Sequence, residues 1–274
     1  MLSNYFQTLI NSLPKQLRPE HLSPTTAAVL AFVASFLFIG LSLWLVLSKT
    51  QRAKRETVLL TGLAEAGKTV LFMQLRYGTK VATHTSMDHN EGRFSLTTGD
   101  TAPPSSSSRP GPILHLVDLP GHEKLRFKYT EYISSTCGIV FVIDSTTIAR
   151  ELRPAAEYLY DILANRYTQR NEIPVLVLCN KADLLMALPV EKIRAMLEGE
   201  IDRLRTTRAA EVQSLDDGDK EHDRDEFLGE EGVPFAFNQL ANAVTFESCS
   251  LVAPAGDAQP HGPPAVHAFI QRLL

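Results

Sequence analysis

The chain has 274 residues, with 27 Lys and Arg against 31 Asp and Glu, which gives a formal net charge of −4 at pH 7. This mild acidity excludes the global basic field typical of nucleic-acid-binding proteins, so no direct nucleic-acid partner is expected. The three cysteines, Cys137, Cys179 and Cys249, are widely separated in apolar or small-residue runs. We therefore expect neither a disulfide framework nor a zinc site, and interpret the cysteines as reduced core thiols.

Residues 25–48 carry the strongest apolar signal of the chain. From Ala27 to Leu47 there are 21 consecutive residues without a charge. At ~1.5 Å per residue such a helix is about 30 Å long, which matches the hydrocarbon core of a bilayer. A cleaved signal peptide is disfavoured because the run exceeds the usual ~7 to 15 apolar residues and lies well inside the chain. The sequence thus predicts one transmembrane helix.

The charges on either side of this helix predict its orientation. The basic residues that follow it closely are Lys49, Arg52, Lys54 and Arg55. Before it, Lys15 and Arg18 are opposed by Glu20. The denser basic flank is expected to stay in the cytosol. The predicted organisation is a short lumenal N-terminus (1–24), the spanning helix (25–48), a basic cytosolic linker (49–56) and a cytosolic domain (57–274).

A phosphate-binding loop is predicted directly after the linker. The run Thr57–Thr61 is β-branched and apolar, as in a buried strand, and a helical pattern follows from Val70. Between them stands the pattern G-x-x-x-x-G-K-[ST], in which backbone N–H groups and a helix N-terminus can surround phosphate. Lys68 would reach the β- and γ-phosphates, and the Thr69 hydroxyl would bind Mg²⁺. The candidate phosphate-binding residues here are Gly62, Ala64, Glu65, Ala66, Gly67, Lys68 and Thr69.

A second element ends the next apolar strand, Ile113–Val117, with Asp-Leu-Pro-Gly. A carboxylate at the end of a strand, Asp118, can hold Mg²⁺ through water. The backbone N–H of Gly121 can meet a γ-phosphate. On its own this motif would be a strand followed by a Pro-Gly turn, and it gains meaning from the phosphate loop that precedes it.

A third element, Asn-Lys-Ala-Asp, follows the buried-type strand Val175–Cys179. The carboxylate of Asp183 can accept both N1–H and the exocyclic amine of guanine, which adenine does not offer. Asn180 can bond the other edge of the base, and Lys181 can lay its aliphatic stem over the ring. The three elements in this order predict guanine-nucleotide binding at the carboxyl ends of a doubly wound sheet.

With these motifs the chain resembles the Ras-like GTPases, and within them most closely the β subunit family of the signal recognition particle receptor. The N-terminal apolar helix stands where other small GTPases carry a lipid, because the chain has neither Gly at position 2 nor a prenylation box. The run Gly121–Arg126 is similar to that family's second switch. The run His84-Thr85-Ser86-Met87 is similar to its first switch, in which Thr85 would cover Mg²⁺ and the γ-phosphate.

The resemblance implies a Ras-like P-loop fold, a mostly parallel six-stranded sheet with helices on both faces, and GTP with Mg²⁺ as ligands. The metal-binding residues would be Thr69, Thr85 and Asp118. The base-binding residues would be Asn180, Lys181, Asp183 and Ser250. For the last position Ser250 is the better match after the strand from Val244, with Ser248 and Cys249 as alternatives.

Two departures from the family pattern concern the phosphate end. The loop has Ala64-Glu65-Ala66 where a more polar set is expected. His122 stands where many GTPases have the Gln that orients attacking water, so it either hydrogen-bonds that water or lies in a mobile loop. We therefore expect slow intrinsic hydrolysis and a role mainly as a GTP-dependent binding switch.

Two stretches are predicted to be low-complexity inserts. Residues 98–112 are rich in Ser and Pro and would join two strands as an elongated hairpin. Residues 206–234 include a run with nine acidic side chains between Asp216 and Glu231, too charged to pack. Helices are predicted at 150–170 and 189–205, and a last helix with Val266, Phe269, Ile270 and Leu273 on one face is interpreted as core.

The resemblance also implies a cellular role. The chain would lie in the endoplasmic reticulum membrane and hold the receptor's α subunit through its switch regions, so that it meets the ribosome and the signal recognition particle only indirectly. The alternative is an Arf-like membrane GTPase that cycles in vesicle traffic. A nucleotide-free scaffold is a third possibility.

Overall fold

A computed structural model describes residues 35–38, 40, 55–78, 83, 86, 88–95, 113–214, 228–230, 232–252 and 262–274. The chain divides into two compact units, Met1–Lys54 and Arg55–Leu274. In the first unit residues 35–38 and 40 are helical, and the rest of the predicted membrane span lies outside the described residues. Within the described part, no helix has the length and apolar character needed to cross a membrane.

Six strands of the second unit form one sheet. They are β1 Thr57–Gly62, β2 Asn90–Ser95, β3 Ile113–Asp118, β4 Thr136–Asp144, β5 Val175–Asn180 and β6 Val244–Ser248. Their order is β2-β3-β1-β4-β5-β6, and every neighbouring pair is parallel except β2 and β3. β1 and β5 are buried along their whole length, which explains why they are nearly continuous apolar runs. The predicted mostly parallel, six-stranded sheet is confirmed.

Helices cover both faces of this sheet, as predicted. They are α1 Lys68–Tyr77, α2 Tyr129–Tyr132, α3 Ile148–Ala164, α4 Arg166–Arg170, α5 Val190–Ser214 and α6 Pro264–Leu273. Successive residues of a strand point to opposite faces, so Leu59 lies in a core with α3 and α5, whereas Val58 and Leu60 lie in a core with α1 and α6. Val266 and Ile270 of α6 are fully buried, which confirms the core interpretation of the last helix.

Two helices differ from their sequence-based bounds. The predicted helix 150–170 is two helices, because Asn165 has an extended backbone and its side chain caps α4 by accepting a hydrogen bond from the Tyr167 N–H. The predicted helix 189–205 continues to Ser214, nine residues into the stretch assigned to an insert.

The far end of that stretch also packs against the domain. Arg205, only 5% exposed, donates from Nη1 to the carbonyl oxygens of Leu228 and Glu230. Leu228 is fully buried. Composition suggested a stretch too charged to pack, but its two ends are held by this arginine and by the continued helix. The central residues 215–227 lie outside the described part.

The strands at the sheet edge pair as predicted, and Cys179 and Cys249 are buried as predicted, whereas Cys137 is only partly buried. β2 and β3 form the antiparallel pair expected on either side of the Ser- and Pro-rich stretch 98–112, which lies outside the described residues. All three cysteines are free. Burial raises the pKa of Cys179 and of Cys249 to about 12, and that of Cys137 to about 11, so the thiols are protonated at neutral pH.

Candidate nucleotide site

The loops that follow β1, β3, β5 and β6 surround one cavity of about 620 Å³ at the carboxyl edge of the sheet. In open α/β sheets ligands bind at this edge, outside the strand ends. The residues that line the cavity are Ala64, Glu65, Gly67, Lys68, Thr69, Val70, Thr83, Ser86, Leu119, Pro120, Gly121, Asn180, Lys181, Asp183, Leu184, Ser250, Leu251 and Val252. The structure therefore brings the three sequence motifs together around one space.

Most of the predicted site residues line this cavity. Those that do are Ala64, Glu65, Gly67, Lys68, Thr69, Gly121, Asn180, Lys181, Asp183 and Ser250. Gly62, Ala66, Asp118 and His122 are not among its lining residues. Thr85 lies outside the described residues.

The phosphate loop owes its path to two glycines. Gly67 has a left-handed φ of 102°, and a Cβ there would lie 2.4 Å from the Asn180 side-chain nitrogen. Gly62 has a φ of 125°, and a Cβ there would lie 2.2 Å from the carbonyl oxygen of Val142 in β4. Any other residue would clash at both places, so the loop can pass close under its neighbours only as glycine. Helix α1 begins at Lys68, and its N-terminal end faces the cavity.

Lys68 is a buried cation at this end of the cavity. It is 6% exposed, and its Nζ donates to the carbonyl oxygen of Leu63 at 2.6 Å. Burial lowers the pKa of Lys68 to about 8, although the carboxylate of Asp118 acts to raise it and Arg126 lowers it further. Loss of solvation therefore disfavours the charged form of Lys68 in the absence of a ligand.

Four side chains form a polar cluster beside Lys68. The Thr69 hydroxyl donates to Asp118 Oδ2 at 2.8 Å and lies 3.1 Å from the Ser86 hydroxyl. Asn90 Nδ2 donates to the same carboxylate oxygen at 3.0 Å. Asp118 is 1% exposed, and its other oxygen, Oδ1, finds no hydrogen-bond partner among the described residues. Burial raises the pKa of Asp118, against hydrogen bonds from Asn90 and Thr69 and the charge of Lys68.

This cluster fits a magnesium ion. Mg²⁺ takes oxygen ligands, keeps several waters and is usually held by one or two carboxylates together with substrate phosphates. A buried carboxylate oxygen without a partner next to two hydroxyls is such a donor set. Among the described residues no group of three or more His, Cys, Asp or Glu could hold a metal, so a site built mainly from side-chain acids or imidazoles is not found there.

Sequence reasoning missed two members of the cluster. Ser86 follows directly after Thr85, the residue predicted for this role, and a Thr-Ser pair alone does not show which hydroxyl faces inward. Asn90 opens β2 and pairs in register with Asp118 of β3. The antiparallel pair was predicted, so aligning the two strands residue by residue is the signal that could have identified Asn90.

Asn180 ties three loops together at the other end of the cavity. It is 3% exposed, its Nδ2 donates to the Ala66 carbonyl at 2.8 Å, and its Oδ1 accepts from the Leu251 N–H at 3.1 Å. The sequence predicted a contact with a base for this residue. In the structure its amide links the phosphate loop to the loop that follows β6.

The remaining polar groups at this end are also paired. The Ser250 hydroxyl donates to Asp183 Oδ1 at 2.6 Å. Lys181 Nζ donates to Asp144 Oδ2, also at 2.6 Å. Of the three alternatives for the last base-contacting position, Ser250 lines the cavity and Ser248 and Cys249 do not.

The loop after β3 is held from both sides. A Cβ on Gly121 would lie 2.4 Å from the Ala64 backbone nitrogen, so this glycine packs directly against the phosphate loop. His122 is exposed and caps the 3-10 turn Glu123–Lys128, with Nδ1 3.3 Å from the Lys124 nitrogen. Further along, Arg126 donates to the Pro154 carbonyl of α3 at 3.3 Å.

Comparison with known proteins places this architecture. Residues 53–244 match the model of the family described as signal recognition particle receptor beta subunit. The chain belongs to this family. It is 35% identical over 256 residues to signal recognition particle receptor subunit beta of Rattus norvegicus, covering 92% of this chain and 88% of that protein. The subunit beta of Homo sapiens is likewise 35% identical, over 253 residues, with 92% and 87% covered.

A solved structure of the mammalian SRP receptor gives the same answer at the level of the fold. It is 31% identical to this chain, with a TM-score of 0.63, and the match covers 80% of this chain and 100% of that one. The Ras-like fold and the family resemblance drawn from the motifs are thereby confirmed. The chain is a small GTPase of the Arf-like kind, from the receptor β-subunit family.

Proposed function

We propose that this β-family chain is the membrane-anchored, GTP-binding subunit of a signal recognition particle receptor. In this role it holds the α subunit at the endoplasmic reticulum for co-translational protein targeting. The observation that carries the proposal is the single cavity on which the phosphate loop and the Asn180–Asp183 loop both open. The two loops stand far apart in the sequence, and one ligand with a phosphate end and a base end accounts for both.

The base end suits guanine. The free lone pairs of the Asp183 carboxylate can accept N1–H and the exocyclic amine, a pair of donors that adenine lacks. The Ser250 hydroxyl, which donates to Asp183 Oδ1, holds the carboxylate in place. The aliphatic stem of Lys181 covers one face of the ring, as proposed from the sequence.

The phosphate end suits a triphosphate with Mg²⁺. Lys68 and the first N–H groups of α1 would bind the phosphates. Thr69, Ser86 and Asp118 would hold the ion, Asp118 through water. Ser86 is added to the set that the resemblance gave as Thr69, Thr85 and Asp118, because the Ser86 hydroxyl lies 3.1 Å from the Thr69 hydroxyl. When bound, the ion would neutralise charge on the β- and γ-phosphates.

The switch regions give this site a signalling role. Gly121 lines the cavity and packs against Ala64 of the phosphate loop, so a γ-phosphate bound there would be sensed by the loop after β3. His122 is exposed and outside the lining residues, which supports slow hydrolysis. A GTP-ordered surface formed by Ser86 and Gly121–Arg126 is the proposed contact for the α subunit.

The membrane attachment rests on the sequence. The uncharged run from Ala27 to Leu47 and the basic residues after it support one span with the GTPase domain in the cytosol. With the family assignment, this supports the endoplasmic reticulum membrane as the location. The ribosome and the particle would be reached through the α subunit.

An exchange of base preference tests the nucleotide assignment. Xanthine carries a carbonyl where guanine has its amine, so Asp183→Asn should bind xanthosine triphosphate better than GTP, by about tenfold or more. Calorimetric titration of the full chain in detergent with GTP, xanthosine triphosphate and ATP measures this. Glu247→Gln, a change at an exposed acid of β6, is the matched control and should still prefer GTP. Equal binding of GTP and ATP by the unchanged chain would overturn the proposal.

The same variant tests the switch. The full chain loaded with GTP is expected to capture the receptor α subunit from a detergent extract, and the GDP form much less. Asp183→Asn should capture it only when loaded with xanthosine triphosphate. Capture by every form alike would indicate a nucleotide-free scaffold. GTP-dependent capture of a vesicle coat component instead would indicate the alternative role, a membrane GTPase that cycles in vesicle traffic.

A further inference from the structure

Beside the base end of the cavity lies an acidic residue that no motif includes. Asp144 ends β4, and it is only 7% exposed. Its Oδ2 accepts a hydrogen bond from Lys181 Nζ at 2.6 Å. Its Oδ1 accepts two more, from the Thr146 N–H at 2.9 Å and the Thr146 hydroxyl at 2.6 Å. Both oxygens are engaged, so the carboxylate is fixed in one orientation.

These contacts keep the carboxylate charged despite its burial. Burial alone would raise the pKa of Asp144, but the hydrogen bonds from Lys181 and Thr146 outweigh it and hold the pKa below its ordinary value. At neutral pH a fixed negative charge therefore faces the ammonium group of Lys181. The side chain of a lysine is flexible, and an ion pair with such a fixed partner restricts it to one conformation.

Lys181 has an unusual backbone conformation and lines the cavity. Its backbone has a left-handed φ of 61°, which non-glycine residues rarely adopt, and its side chain is 35% exposed along the cavity wall. The aliphatic stem of this cavity-lining residue is thus fixed at one end by the backbone and at the other by the contact of the ammonium with Asp144. A stem free to rotate would cover the base only part of the time.

The backbone reinforces the link between the two loops. The Ser145 N–H donates to the Asn180 carbonyl at 3.0 Å, and the Leu188 N–H donates to the Ser145 carbonyl at 2.9 Å. The loop after β4 and the loop after β5 are thus joined on both sides of Lys181. Asp144 is placed to act on Lys181 without touching a ligand itself.

We propose that Asp144 is a positioning residue for nucleotide binding, which acts by holding the Lys181 stem flat over the base. This inference rests on the proposed function, since it assigns a further residue to the same site. It predicts an effect common to GTP and GDP, because the base is common to both. It also predicts that the whole effect passes through the ammonium of Lys181.

A double-mutant cycle tests this. Asp144→Asn removes the charge, Lys181→Met keeps the apolar stem and removes the ammonium, and the third variant combines them. In full chain in detergent, Asp144→Asn should weaken GTP and GDP alike by about tenfold, the size of one side-chain coupling. In the Lys181→Met background Asp144→Asn should cause no further loss. Inorganic triphosphate, which has no base, should compete equally for the unchanged chain and for Asp144→Asn.

The matched control is Asp161→Asn. Asp161 on α3 forms an ion pair with Arg208 on α5 at 2.7 Å. Neither residue lines the cavity. Asp161→Asn should leave both nucleotide affinities unchanged. An equal loss from Asp144→Asn in both backgrounds, or a matching loss for inorganic triphosphate, would show a merely structural role and overturn the inference.

Thr146→Val covers the case in which Asp144→Asn does not fold. It removes only the hydroxyl that donates to Asp144 Oδ1. A smaller loss of GTP and GDP binding that disappears in the Lys181→Met background supports the inference, and a loss that persists there overturns it. A chain that prefers GTP over ATP while the cycle is additive leaves the proposed function standing and removes only the role of Asp144. A chain with no such preference removes both.

Discussion

The two ends of the cavity differ in how their charged side chains are stabilised. At the phosphate end Lys68 and Asp118 are buried, and burial disfavours the charged form of each. Asp118 keeps one carboxylate oxygen without a partner among the described residues. At the base end the ammonium of Lys181 is paired with the carboxylate of Asp144 at 2.6 Å, whereas Lys68 at the phosphate end donates only to the neutral carbonyl oxygen of Leu63. The base end is preorganised by the fold, whereas the phosphate end gains its missing charges only with a ligand.

The largest effect is expected at the phosphate end, from Lys68→Ala. Hydrogen bonds to charged groups contribute about 1.5 to 3 kcal/mol each, so losing those of Lys68 should weaken GTP binding by about a hundredfold or more. The free energy of unfolding of the nucleotide-free chain should change little, because removing a buried cation with a lowered pKa offsets the loss of the hydrogen bond from Lys68 Nζ to the Leu63 carbonyl oxygen. Calorimetry and thermal unfolding measure the two quantities, with the exposed Lys192→Ala as control. A marked loss of stability would contradict the comparison.

Asn180→Ala is expected to do the reverse at the base end. It leaves the Ala66 carbonyl and the Leu251 N–H without their partner, and each unmet buried group costs about 1 to 3 kcal/mol. The free energy of unfolding of the nucleotide-free chain should therefore fall by about 2 to 4 kcal/mol. Denaturant unfolding measures this. Asp183→Asn, which sits at an exposed residue of the same loop, should leave stability nearly unchanged. Equal stability for both variants would show that Asn180 ties nothing together.

Ser86→Ala should lower the affinity of the GTP-loaded chain for Mg²⁺ by about tenfold, because it removes one oxygen from the proposed donor set. The comparison variant is Thr85→Ala, one residue away. Titration of Mg²⁺ into the GTP-loaded chain measures both. A larger effect at Thr85 would return the metal role to the residue that the resemblance suggested.

The smallest expected effect on nucleotide affinity is that of pH. Lys68 has a pKa of about 8 in the folded chain against an ordinary value of 10.5. Between these values the unfolded chain binds more protons than the folded one, so the stability of the nucleotide-free chain should rise with pH from about 8 to 10.5. GTP binding recharges Lys68, so affinity should fall about threefold between pH 7.5 and 8.5. Calorimetry across this range checks the trend, which Lys68→Ala should abolish.

Local patterns made much of this molecule predictable. Buried parallel strands are continuous apolar runs, so β1 and β5 could be identified directly, and the phosphate loop and the Asn180–Asp183 loop follow them at fixed spacing. Such features depend on neighbours in the chain. They therefore survive in a single sequence without any knowledge of tertiary contacts.

Contacts between distant segments could not be predicted in the same way. The pairing of Asp144 with Lys181 depends on β4 lying next to β5, and the role of Asn90 depends on the register between β2 and β3. The packing of Leu228 and Glu230 against the domain depends on hydrogen bonds from Arg205, which lies more than twenty residues earlier in the chain. The prediction for the stretch 206–234 used its charge alone, and charge does not indicate whether the two ends of the stretch pack against the domain.

The position of Asn180 bears on how a bound nucleotide would leave. One buried amide connects the phosphate loop at Ala66 with the loop at Leu251, and it sits on the strand that carries the Asn180–Asp183 loop. We therefore expect release to be a concerted event, in which phosphates and base are freed together. A factor that accelerates nucleotide exchange would therefore need to displace only one of the three loops that Asn180 connects. Displacing any one of them should free both the phosphates and the base.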